Sequence, residues 1–566
     1  MIESQKMVED RGNELPITAR SAEEWLLQAQ RLVPSALEKA QEVKVFLTRW
    51  KTIVTKLEQV PMCLSDLSSH PCFSKNALCK EQLQGISATL RETIELAECC
   101  LGEKYEGKLK MQSDIDSLVG KLDLSLRDCQ VLMKTGVLGE ATLPLTMKRS
   151  SISEAHTSIK ELLARLQIGN LEAKHRALDA LLRVMMEDEK NLMAVIGRSN
   201  VAALVHLLTA TTSSQIREKT VTVICCLVES GICEDWLVSE SVIPSLIRLA
   251  ESGSQLSKEK AMISLQKLSS SPEAAHSIAE HGGTSSLVEL CSYHHNLALQ
   301  SSAVCTLNNI SAVPDAREIL AREGLIEAAI HLLEHGSSFG PKECAAQCLQ
   351  NMTSSNESFQ RSVISKGGFG ALLSYIESSP LPQEPAVGAV RNLVTMVSWE
   401  ALLSAGLLQC LVHVIRFGSL AAQQAAASAI CQVSVSGHDE AKKLIGEAGI
   451  IPLLINSLEK KSDILKEVSA QAISSLITVH QNYREVKRND QSVPSLVQLL
   501  DPNPKNTAKK YAVLCLLRLS PNKKCRKVMV SYGAIGYLKK LKEMDVQGSK
   551  KLLERLERGT LRSLFT

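Results

Sequence analysis

Aromatic side chains are scarce: Phe, Trp and Tyr together make up 3% of the 566 residues. A core without them must be filled by small and aliphatic groups. Long apolar runs are missing too, since no stretch approaches the roughly 18 uncharged apolar residues that span a bilayer. Residues 1–10 carry three acids and no apolar centre, so neither a secretory signal nor a basic transit peptide is expected. Ile2 stands where myristoylation needs Gly, and residues 563–566 hold no Cys for prenylation. The expectation is a cytoplasmic protein with access to the nucleus. Charge of one sign is absent as well: 64 Lys and Arg against 61 Asp and Glu leave a net +3. That excludes a uniformly basic nucleic-acid coat and a strongly acidic disordered chain.

The chemistry-bearing patterns are equally thin. No Gly-x-x-x-x-Gly-Lys-Ser/Thr, Gly-x-Gly-x-x-Gly or His-Glu-x-x-His occurs, and no Cys-x-x-Cys pair. Cys63, His70, Cys72 and Cys79 lie close in sequence, but their apolar surroundings favour packing over zinc. The 17 cysteines sit mostly among Leu, Ile, Val and Ala and read as reduced core residues. No catalytic residue, metal or cofactor is expected, and the chain is read as non-enzymatic.

What is present is repetition. From residue 159 onward one pattern recurs about nine times with a period near 42 residues. Each unit opens on an apolar segment, often with a proline, as in Val242-Ile243-Pro244 or Val493-Pro494. Proline suits a helix's first turn, where its missing N–H leaves no bond unmade. A longer Ala-rich segment follows, such as Ala425-Ala426-Ala427-Ser428-Ala429-Ile430, with apolar residues at helical spacing. The unit closes on a glycine: Gly283, Gly324, Gly368, Gly406, Gly449 and Gly533. Glycine admits the positive φ at which a helix stops and the chain turns. Between 450 and 492 that glycine is replaced by Asp490-Gln491-Ser492, so an irregular junction is expected. The unit at 369–406 holds Pro380, Pro382 and Pro385, which predict that its middle helix collapses into a loop.

Helix, turn, Ala-rich helix and closing glycine at this period resemble the armadillo repeat, a three-helix unit stacking into a right-handed superhelix. The resemblance covers about 155–558 and implies an all-α solenoid that binds protein segments in an extended groove. Ahead of it, Ser21-Ala22-Glu23-Glu24 matches a capping box, and helical patterns run over about 35–59, 76–102 and 108–134. Leu83, Ile86, Leu90, Ile94 and Leu96 fit one helix face, so an antiparallel bundle is expected. The domain reading is a flexible terminus at 1–20, a bundle at 21–135, a linker at 136–154, about nine repeats at 155–558 and a tail at 559–566. This order resembles the plant U-box ubiquitin ligases, but the U-box is missing: no Cys-Pro-Ile occurs, and the linker is too short for a domain. The resemblance leaves open a substrate-recruiting part in a ligase complex, beside the plain scaffold.

Aligning units on the Ala-rich helix places one polar residue of each in a shared column, including Arg183, Lys267, Asn309, Asn351, Asn392, Gln432 and Arg518. In armadillo proteins this column lines the groove, where an Asn amide donates to and accepts from a peptide backbone. The alternative is that the amides bond neighbouring backbone between repeats. Importin-α-like proteins add a Trp one turn earlier; here Cys305, Gln347 and Gly388 hold those places, which argues against a receptor for basic peptides. Lys267, Arg183 and Arg518 point instead to acidic or phosphorylated segments, the alternative being that each is a solvated residue at the groove edge.

The last 66 residues carry 16 Lys or Arg and 5 Asp or Glu, so the basic charge is gathered at one end. Its centre is Lys523, Lys524, Arg526 and Lys527 with Lys539, Lys540 and Lys542. A solvated terminal cap explains such a cluster; an acidic partner, anionic lipid or a weak nuclear-localisation signal is the functional alternative, with a membrane-trafficking scaffold as the widest form of the lipid reading. Sparse aromatics disfavour nucleic acid.

Overall fold

The computed structural model describes residues 21–70, 73–102, 107–134, 151–168, 171–210, 213–292, 296–354 and 356–564. All regular structure among them is helical, and the fold is an all-α helical-repeat solenoid preceded by a helical bundle. The chain divides into two compact units, Met1–Ser264 and Leu265–Thr566. The stretches 1–20 and 135–150, expected to be a flexible terminus and a linker, lie outside the described residues.

The first unit begins at the capping box. Glu24 N–H donates to Ser21 Oγ at 3.1 Å while Ser21 N–H donates to Glu24 Oε2 at 2.9 Å, which satisfies two free donors at the start of α1 (Ala22–Glu42). A single helix was expected over 35–59. The chain instead breaks after α1, with Phe46 in the left-handed region at φ 52°, and resumes as α2 (Leu47–Leu57) and α3 (Val60–Ser68). The remaining pair, α4 (Ala77–Leu101) and α5 (Lys108–Lys134), matches the expected spans within a residue. α4 packs along α1, and α2 and α3 pack on α5. Trp25, Trp50, Leu64, Leu83, Leu90, Ile115 and Leu118 fill the core, each at most 2% exposed. Each such leucine contributes roughly 2 kcal/mol through the water it sheds. Helices α6 (Ser151–Gln167) and α7 (Leu171–Val195) follow, and Arg165 ties α6 to α4 through Glu81 at 2.7 Å.

The second unit cycles through three helices, the third usually the longest. Leu297–Ala312, Phe339–Thr353, Glu384–Leu393, Leu420–Ser436, Asp463–Leu476 and Lys509–Leu519 are the long third helices, each packed on the next. Small buried residues allow this closeness: Ala303, Ala345, Ala346, Ala386, Ala389, Ala425 and Ala426 are all within 2% of full burial. Buried leucines and isoleucines such as Leu307, Leu349, Leu372 and Ile430 fill the space between the helices.

The junctions correct the sequence reading in detail. Where two glycines adjoin, the first takes the turn: Gly282 and Gly367 have φ 77° and 82°, not Gly283 and Gly368. Gly368 instead begins the next helix, where an added Cβ would meet Val363 Cγ1 at 2.6 Å. Ser241 at φ 59° stands at the same junction one cycle before Gly282, a left-handed residue without glycine's freedom. At the glycine-less junction the buried Ser492 hydroxyl donates to Val486 O at 2.7 Å and lies 2.8 Å from Asn489 O, tying down the helix end. The proline-rich unit keeps its helices, against expectation: Gly368–Ser378 and Glu384–Leu393 both form. Pro380 and Pro382 fall in the loop between them, and Pro385 sits in the first turn of a third helix cut to 10 residues. The last described helix is Ser549–Leu564, which covers part of the stretch read as a tail.

Candidate functional site

The amide column lies on the stacked third helices of the second unit, and the three asparagines are half-buried. Asn309 Nδ2 donates to Ser269 Oγ at 2.9 Å and Gln266 O at 3.3 Å. Asn351 Nδ2 donates to Ser311 Oγ at 2.9 Å and Asn308 Oδ1 at 3.3 Å. Asn392 Nδ2 donates to Thr353 Oγ1 at 3.2 Å and Gln350 O at 3.3 Å. In each case the amide hydrogens reach back to the C-terminal turn of the preceding third helix, so the amides fasten neighbouring repeats. The accepting hydroxyls are themselves buried, and each donates within its own turn: Ser269 to Gln266 O, Ser311 to Asn308 O and Thr353 to Leu349 O, each at 2.7 Å.

Sequence reasoning did not single out Ser269, Ser311 and Thr353. The signal was available: a hydroxyl stands two residues after the column position in the three consecutive units. Arg555 was also missed. Its Nη1 makes the same two contacts one repeat from the end, to Ser520 Oγ at 3.0 Å and Leu517 O at 3.3 Å.

With their hydrogens used, the asparagines offer acceptor oxygens. Asn309 Oδ1 has no bond among the described residues. Asn351 Oδ1 accepts from Gln347 Nε2 at 3.1 Å, and Asn392 Oδ1 accepts from Arg391 Nη2 at 3.1 Å. The three positions one turn earlier carry no aromatic slot. Gln347 also donates to Gln350 Oε1 at 2.8 Å, and Gln350 donates to Glu384 Oε1 at 2.7 Å. Gly388 makes room for this, since a Cβ there would lie 2.2 Å from Gln350 Nε2. Cys305 is bonded to Cys344 on the next third helix, with their Cα atoms 5.5 Å apart. This corrects the expectation of uniformly reduced cysteines, which follows from sequence neighbours alone and misses partners 39 residues away. No other disulfide forms among the described residues. Burial pushes the Cys291, Cys410 and Cys515 thiols up to about 12.

The other members of the column are laid open. Lys267, Gln432 and Arg518 are exposed, and neither cation forms an ion pair among the described residues. Arg183 lies on α7 of the first unit and is likewise exposed. At the basic end, Lys523, Lys527, Lys539, Lys540 and Lys542 are exposed without ion pairs among the described residues, while Lys524 lies 3.4 Å from Asp490. Arg526 turns inward: its Nη1 donates to Ser520 O at 2.8 Å and Pro521 O at 3.0 Å.

The first unit holds an open cleft of about 830 Å³ between α4, α5, α6 and α7, with Arg165, Lys121 and Asp128 in its lining. No group of three or more metal-ligating side chains converges among the described residues. None of the described helices is long and apolar enough to cross a membrane.

A domain of unknown function, DUF7032, matches residues 27–137, the stretch of the bundle. No curated protein matches the chain. Among solved structures, the crystal structure of an engineered protein is similar over 71% of this chain and 98% of its own, at 23% identity and TM-score 0.59. A designed armadillo repeat protein is similar over 41% of this chain and 99% of its own, at 22% identity and TM-score 0.38.

Proposed function

We propose that the protein is a non-enzymatic interaction scaffold that holds extended protein segments against its stacked third helices. The helical-repeat fold supports an interaction role in general terms. The observation that carries the finer reading is the column itself: half-buried amide oxygens on Asn309, Asn351 and Asn392, flanked by exposed Lys267, Gln432 and Arg518. An extended backbone presents N–H groups along its length, and a column of acceptors at one per repeat meets them in register. Lys267 and Arg518, without ion pairs among the described residues, favour ligand segments with carboxylates or phosphates at the ends of that column.

The test avoids the fastening atoms. Lys267→Glu, Gln432→Ala and Arg518→Glu change only exposed side chains, so folding is retained. A library of extended peptides is panned against the native protein and against the triple variant. Enrichment of acidic peptides by the native protein, lost in the variant, is the expected result. Equal enrichment by both proteins removes the reading.

A further inference from the structure

Cys305 lies one helical turn before Asn309 on Leu297–Ala312, and Cys344 lies two turns before Asn351 on Phe339–Thr353. Their disulfide therefore joins the same two helices that Asn351 fastens through Ser311. Both cysteines are half-buried, within reach of a small oxidant or of an approaching dithiol. Cys348, one turn beyond Cys344, is fully buried, and burial raises its thiol far above the ordinary range. Cys291 is 3% exposed and equally held as a neutral thiol. Reactivity follows access and thiolate content, so the pair is singled out from the thiols packed around it.

The Cα separation of 5.5 Å is ordinary for a bridge that needs no backbone movement to close. The two helices are also held by hydrogen bonds that survive when the bridge opens. Closing and opening can thus occur within the folded protein.

We infer that Cys305 and Cys344 form a reversible thiol–disulfide modification site whose state sets how firmly two neighbouring helices of the amide column are clamped. The effect on ligand binding rests on the groove reading; the chemistry does not. In the closing direction a hydroperoxide is the oxidant. The thiolate of one cysteine attacks its outer oxygen, the O–O bond breaks, and a sulfenic acid forms as alcohol or water leaves. The second thiol displaces water from that sulfur, and the S–S bond forms. Two thiols have then lost two electrons and two protons to the peroxide. In the opening direction a dithiol attacks one sulfur, passes through a mixed disulfide, and leaves as its own cyclic disulfide, returning both electrons.

The experiment uses the full chain. Protein treated with hydrogen peroxide or with dithiothreitol is alkylated with N-ethylmaleimide, digested without reductant and mapped by mass spectrometry. Peroxide should give a linked peptide pair containing Cys305 and Cys344, and dithiothreitol should leave both alkylated while Cys348 and Cys291 stay unmodified. Hydrogen exchange over 297–312 and 339–353 should be several-fold slower in the oxidised form. Cys305→Ser with Cys344→Ser should lose that redox response and exchange at the reduced rate. The comparison within the native protein needs no variant, so a poorly folding mutant does not spoil it. Absence of the linked pair under peroxide overturns the inference, as does a linked pair that leaves exchange unchanged. If exchange responds while Lys267→Glu, Gln432→Ala and Arg518→Glu leave peptide enrichment intact, the redox site stands and the groove reading falls.

Discussion

Arg555 Nη1 stands 3.0 Å from Ser520 Oγ and 3.3 Å from Leu517 O, repeating with a guanidinium the two contacts that Asn309 makes to Ser269 and Gln266. In both cases the second acceptor lies three residues before the hydroxyl, in the same turn. A donor from the next unit thus caps the free end of the preceding helix, whose last carbonyls have no partner within it. The chemistry of the donor changes; the socket does not.

Removing a fastener leaves a buried acceptor without its partner. Asn351→Ala should lower stability by about 1–2 kcal/mol and Arg555→Ala by a similar or smaller amount. The check is the urea midpoint of each variant, followed by circular dichroism and by a probe on each unit, because a repeat array need not unfold in one step. An unshifted midpoint for Asn351→Ala would mean that the contact to Ser311 contributes nothing.

Ser241 carries the φ of 59° that glycine holds at 75–88° in the later junctions. Ser241→Gly should stabilise the protein by about 1 kcal/mol, and Gly449→Ala should destabilise it by about as much. Thermal melting of the two variants gives opposite signs if the backbone is the cause.

Gly446 faces Asn482 so closely that a Cβ would lie 2.0 Å from its Oδ1. Asn482 is fully buried and donates to Lys442 O at 2.7 Å and Leu476 O at 3.2 Å. Gly446→Ala should displace this amide and cost about 2 kcal/mol or more. Gly536→Ala, with open space around it, serves as the control and should change little.

Buried thiols set an alkaline limit. Burial raises Cys291, Cys410 and Cys515 from 9.0 to about 12 in the folded chain. Below pH 9 folded and unfolded forms bind the same protons at these groups. Between about 9 and 12 the unfolded form loses them first, so stability falls as pH rises, by up to about 1.4 kcal/mol per unit for each thiol. Urea midpoints at pH 8, 9 and 10 should decline over the last step, and Cys515→Ala should flatten that decline.

The repeat was legible because a three-helix unit must bury the same face each time, which forces apolar and alanine positions to recur. The capping box at Ser21 and Glu24 was legible for a similar reason: both partners lie within one turn. What the sequence hid depended on atoms brought together from afar. Which glycine of a Gly-Gly pair takes the left-handed turn depends on what its neighbour packs against, Val363 in the case of Gly368. The direction in which Asn309, Asn351 and Asn392 point depends on hydroxyls about 40 residues back. The Cys305–Cys344 bond depends on the stagger of two helices, which no run of neighbouring residues encodes.

The shortened third helix Glu384–Leu393 still presents Asn392 to Thr353, although prolines have trimmed its other end. The socket and its plug both sit at the C-terminal turns, so length can be added or lost at the N-terminal turns without breaking the chain of fasteners. A whole unit could therefore be duplicated or excised between one hydroxyl and the next donor, and the copies on either side would still mate. Copy number is free to drift in such a protein, while the order of donor and acceptor along it is not.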